Sequence, residues 1–163
     1  MILDIARKLR KNTTRTDEEH TVLFLVNTCS YISECIIDES KHHIDSNQCI
    51  VAIGDYITSF NETKRSFSTG SFIVLKIRRD ILGKMRANTA TVEDFAILEL
   101  IRAFSCIQRA IDNHRDKESE YYLDERMTIE MIRLYLDVFN KTEDYYVYVN
   151  GLDDTSNDKK EIN

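Results

Sequence analysis

Apolar residues recur at three- and four-residue spacing along almost the whole chain, and no proline interrupts them anywhere in 163 residues. That period is the mark of amphipathic helices, and proline is the residue that most reliably ends one. With only four glycines as well, the chain is expected to be all-α, with few tight turns. Its length suits one domain, expected as a single helical unit over residues 1–150 followed by a polar, solvated tail over 151–163. Ile, Leu, Val and Phe supply 46 of the residues, enough for one buried core.

The period and the capping signals divide the chain into segments. Met1 to Lys11 reads as a short basic helix on Ile2, Ile5 and Leu9. Thr16 with Glu19 three residues on is a capping-box pattern, and it precedes a long buried helix carrying Val22, Phe24, Leu25, Cys29, Ile32, Ile36 and Ile37. A break over His42–Asp45 comes next. Ser46 or Asn47 is then the expected cap of a helix reaching about Phe60. Asn61–Gly70 is polar apart from Phe67 and reads as a loop or frayed helix; Ser71 opens a fourth helix bearing Phe72, Leu75, Ile81 and Leu82. Thr91 and Asp94 offer a second cap. The segment Val92–Asn113 behind it is apolar around much of its circumference, so it is expected at the centre of a bundle of six to eight helices. His114–Glu120 reads as a charged loop, Met127–Phe139 as a further helix and Tyr145–Val149 as a short aromatic helix.

Charge and cysteine usage exclude several classes. Acids outnumber bases by 28 to 22, for a net charge of −6, whereas non-specific affinity for nucleic acid rests on cationic contacts and counterion release. No apolar run approaches a membrane span and no signal-type segment opens the chain, so a cytoplasmic location is expected, with any association with mitochondria made through partners. The thiols Cys29, Cys35, Cys49 and Cys106 form no Cys-x-x-Cys pair and read as reduced, three of them as small hydrophobes within apolar segments. His42-His43 diverge on a helix and read as solvated. No phosphate loop, nucleophile elbow or zinc-protease motif is present, so no catalysis, metal or cofactor is expected.

The most specific local pattern is the run from Cys49 to Phe60. Ile50, Ile53, Ile57 and Phe60 share one helical stripe; Gly54 lies where another helix can come close, and Asp55 sits at the stripe's edge. Such a helix can be plain core with a packing glycine. It can also lie in an apolar groove with its carboxylate against a cation on the rim.

The spacing of Ile50, Gly54-Asp55 and Ile57 resembles homology motif 3 of the Bcl-2 family. The order of segments around it is similar too: a long helix at Glu18–Glu39, the motif helix at Ser46–Phe60, then Ser71–Arg86, Val92–Asn113 and Met127–Phe139. Ser71-Phe72 and Ile81-Leu82-Gly83 look like the approach to homology motif 1. The family's Asn-Trp-Gly-Arg is absent; Ala90-Thr91-Val92-Glu93-Asp94 stands in its place, and its like charge is unfavourable to a ligand carboxylate. Homology motif 2 is reduced to the aromatic cluster Tyr145, Tyr146 and Tyr148, and no anchor follows Gly151. Such degenerate motifs are similar to virus-encoded, poxvirus-type members, and an Ile- and Asn-rich composition agrees with that.

The resemblance implies a Bcl-2-like bundle and a non-catalytic inhibitor of apoptosis. Its partners would be pro-apoptotic Bcl-2 proteins, whose amphipathic death-motif helix a surface groove receives. The implied walls are Ile53, Ile57, Phe60, Phe67, Phe72, Leu75, Leu82, Met85 and Val92, with Arg79 and Arg86 facing the ligand's Asp. Residues Ile53 to Phe60 cannot be core, wall and donated ligand at once, and that choice stays open at this level. Alternatives are a Bcl-2-fold immunomodulator that blocks innate signalling through protein contacts, a pro-apoptotic member, and a homodimer in any of these roles. Arg109 and His114 also match the Arg-x4-His pattern of HEPN ribonucleases, in which such a pair does acid–base work and holds phosphate charge.

Overall fold

The computed structural model describes residues 2–42, 44–66 and 73–137. Among them every regular element is helical: α1 (Ile2–Lys11), α2 (Asp17–His42), α3 (Ser46–Ser66), α4 (Ile73–Arg86), α5 (Val92–Arg115) and α6 (residues 125–137). Phe67, Phe72, the tyrosines Tyr145, Tyr146 and Tyr148, and residues 151–163 lie outside the described residues.

Local chemistry starts and stops these helices. At α2, Thr16 Oγ1 accepts the Glu19 amide at 3.2 Å and Glu19 Oε2 accepts the Thr16 amide at 2.9 Å, a reciprocal box that satisfies two donors a helix start leaves open. The cap of α3 is Asp45 rather than Ser46 or Asn47. Its Oδ1 accepts the amides of Asn47 and Gln48 at 2.7 and 3.3 Å. The same helix runs to Ser66, past the expected stop near Phe60, because a polar stretch without Gly or Pro can extend a helix already nucleated by burial. α4 ends in a Schellman arrangement: the amides of Asn88 and Thr89 donate to the carbonyls of Met85 and Lys84 at 3.1 and 2.9 Å. Asn88 takes φ 54° there, and asparagine is among the few non-glycine residues that accept the left-handed region readily.

A second capping box opens α5. Thr91 Oγ1 accepts the Asp94 amide at 3.1 Å, Asp94 Oδ2 accepts the Thr91 amide at 2.9 Å, and Lys84 Nζ donates to Asp94 Oδ1 at 2.8 Å. Burial pushes the Asp94 carboxyl up, but the Lys84 and Thr91 hydrogen bonds outweigh it and hold the group below its usual range. A depressed acid stabilises the fold fully above its unfolded value of about 3.9 and loses that contribution as pH falls through the folded value. Asp94→Asn is therefore expected to melt a few degrees lower than the parent at pH 7, and the gap is expected to narrow progressively as the pH is lowered from about 3.9 into acid. A gap that persists undiminished in acid would show that the carboxylate's charge contributes nothing.

Two helices share the centre, whereas the sequence singled out one. α2 packs against α1, α3, α4 and α5, and α5 packs against α1, α2, α3 and α4. Leu25, Val26, Cys29 and Ile32 of α2 meet Leu100, Phe104, Ile107 and Ile111 of α5 in one buried cluster, which Ile129, Ile132 and Leu136 of α6 join. Phe24, Ile37, Val92 and Phe95, although apolar, stand partly exposed on these helices. By length and composition alone α2 could cross a membrane, with a mean hydropathy of 1.3 over its most apolar 18 residues. The stripe Val22 to Ile36 is nonetheless buried against the protein's own helices.

Glu39 ties three helices together. It pairs with Arg133 of α6 and accepts the Ser46 hydroxyl of α3 at 3.1 Å. The four cysteines are free. Burial pushes the Cys29 and Cys49 thiols up to about 12, which leaves little thiolate at neutral pH.

Candidate interaction surface

α4 presents two unlike faces. Its sequence holds five basic residues and one acid. On the inner side Ile73, Ile77 and Ile81 are buried, and two cations on this helix are engaged, Lys84 with Asp94 and Lys76 with Glu18 and Asp80. The Lys76 hydrogen bond holds the Glu18 carboxyl below its ordinary range. On the outer side Leu75, Arg78, Arg79, Leu82 and Arg86 line a shallow cavity of about 220 Å³. Their spacing puts them on one arc of the helix. Leu75 is 54% exposed, and Arg79 lies 3.8 Å from the carboxylate of its neighbour Asp80.

The structure divides the residues that the sequence singled out. Leu75, Arg79, Leu82 and Arg86 come together on this outer face, joined by Arg78, which the sequence reading passed over. Met85 is half-buried against the core, and Val92 is exposed at the first turn of α5. Ile53, Ile57 and Phe60 are not groove walls here. They are at most 5% exposed, as is Ile50, and Phe60 packs edge-on against Phe104 with ring centroids 4.7 Å apart. The α3 stripe is core because α2 and α5 cover it. Gly54 is buried within that stripe, and Asp55 is exposed.

Gly54 does have the close neighbour expected of it. A Cβ at that position would collide with the Arg115 guanidinium and touch Ile111 of α5. Arg115 in turn lines a cavity of about 340 Å³ with Asn47, Ile50 and Val51 of α3, His114, Lys117, Tyr122 and Glu125. The sequence reading ended α5 at Asn113, but the helix continues to Arg115. His114 Nδ1 bonds the Leu123 carbonyl at 2.8 Å, and its ring stacks on Tyr122. Arg109, five residues earlier, points about 140° away around the helix, so the structure does not gather the Arg-x4-His pair into one site.

A third cavity, of about 350 Å³, lies between α1, α2, α4 and α5. Its floor includes Ile5, Val22, Ile81 and Ile97, and its rim carries Glu18, Glu19, Asp80 and Glu93. All four of those acids are committed to Lys76, Lys8 or the α2 cap. Among the described residues, no three His, Cys, Asp or Glu side chains gather as a metal site would require. No family model matches the chain, and neither the curated proteins nor the solved structures hold a match to it.

Proposed function

We propose that this protein is a non-catalytic inhibitor of cell death, built on a Bcl-2-like helical arrangement, that receives the death-motif helix of pro-apoptotic Bcl-2 proteins along α4. The observation carrying this reading is the outer face of α4. Three arginines, Arg78, Arg79 and Arg86, surround Leu75 and Leu82 in a chain whose net charge is −6. Leucines seven apart beside arginines seven apart match the repeat of an amphipathic helix that carries acids along its apolar stripe. Arg79 and Arg86 supply the cation that Glu93 and Asp94 deny at the start of α5. The order of helices α2 to α6 and the spacing of Ile50, Gly54, Asp55 and Ile57 support the same family reading.

Titration calorimetry against a panel of synthetic death-motif peptides tests it. At least one peptide is expected to bind below about 1 µM, roughly −8 kcal/mol. Arg79→Glu with Arg86→Glu is expected to weaken that peptide about 100-fold or more, since like charge at an interface costs several kcal/mol. Silence across the panel would sink this mechanism. A second reading is favoured by the burial of Ile50, Ile53, Ile57 and Phe60, because a filled groove admits no peptide. In that reading the protein blocks innate signalling of the NF-κB type through its outer helical faces, and an α4 charge reversal disrupts that contact while no death-motif peptide binds.

A further inference from the structure

We propose that the cavity between the start of α3 and the end of α5 binds a small aromatic phosphate monoester, with Arg115 and Lys117 taking the phosphate and Ile50 and Val51 facing the ring. This site is separate from the α4 face. Its volume of about 340 Å³ is at the small end of ligand pockets, which suits a compact molecule rather than a helix or an extended peptide.

Two features argue for an anion. Among the described residues, no carboxylate holds Arg115 or Lys117 in an ion pair or hydrogen bond, although acids outnumber bases in the chain. Glu125 is on the rim and is bonded to neither. Unpaired cations converging on one hollow attract an anion, and a guanidinium matches phosphate oxygens in bidentate fashion. The second feature is that the arginine is seated. Its guanidinium occupies the space over Gly54 that any side chain would take, so the one residue without a Cβ in the α3 stripe fixes where the charge lies.

The rest of the lining suits the organic half of the ligand. Val51 is 53% exposed and puts one apolar side chain next to the cations, with the buried Ile50 behind it in the lining. His114 is oriented by its bond from Nδ1 to the Leu123 carbonyl, which leaves Nε2 for the ligand. Asn47 and Tyr122 add neutral hydrogen-bonding groups.

Amide-resolved NMR titration with phenyl phosphate is the test, with inorganic phosphate and phenol as separate arms. Phenyl phosphate is expected to give saturable shifts at Asn47, Val51 and Lys117 with a Kd of about 1 mM or tighter, and each half-molecule is expected to bind at least several-fold more weakly. Arg115→Gln is expected to weaken phenyl phosphate about tenfold or more, the usual effect of a lost charged hydrogen bond. Gly54→Ala keeps both cations and is neutral or favourable to the helix, so its melting temperature should hold while its affinity falls several-fold. No saturable shift, equal affinity for inorganic phosphate, or undiminished binding by either folded variant would overturn the proposal.

Discussion

Ile53→Ala is expected to lose about 2–5 kcal/mol of stability, the range for deleting a branched side chain from a closed core. Ile53 is fully buried, and the stripe it belongs to packs under α2 and α5. A small helical domain holds about 5–15 kcal/mol in total, so this one change takes a large share of it. Urea unfolding of parent and variant measures the difference. A loss below about 1 kcal/mol would mean that Ile53 faces an open groove in solution, and the groove reading of α3 would return. The experiment thus separates two roles that the same residue cannot fill together.

Phe104→Ala is expected to cost about 3–5 kcal/mol. Its ring is 4% exposed and meets Phe60 edge-to-face at an interplanar angle of 61°. Phe60→Ala should cost a similar amount, and the double variant less than the sum. The coupling is expected at about 0.5–1.5 kcal/mol, the usual worth of an aromatic pair beyond its buried area. Additive losses would show that the two rings are buried side by side without interacting.

Features with short-range causes were legible in the sequence. Thr16 with Glu19 and Thr91 with Asp94 each form the box their spacing announced, because donor and acceptor sit on the same turn. Asp45, Ser46 and Asn47 are three cap-forming residues in a row, and nothing local chooses among them; the geometry of the incoming chain selects Asp45. The all-α class followed from periodicity. What covers an apolar stripe does not follow from periodicity, so Ile53 and Ile57 read equally well as core or as groove. For the same reason Phe95, part of the segment read as central, proves exposed.

The α4 face was half legible. Leu75, Arg79, Leu82 and Arg86 repeat at helical spacing, and Arg78 joins them only once the helix has an outside. The cavity beside Gly54 was not legible at all. Arg115 and Lys117 read as a charged loop, and the glycine that seats Arg115 is on another helix. A single glycine in an apolar stripe was the one signal available, and it pointed to a close approach without saying by what.

The knot of Glu39, Ser46 and Arg133 sets an order of assembly. The turn between α4 and α5 closes over a few residues, with Lys84 reaching Asp94 only ten positions away, so little chain entropy opposes it. Glu39 and Arg133 are 94 positions apart. Their meeting must wait until most of the intervening chain has found its place, because loop closure over that span comes before any reward from contact. The hairpins of α2 with α3 and of α4 with α5 both close over short spans, whereas the docking of α6 onto α2 closes a far longer one.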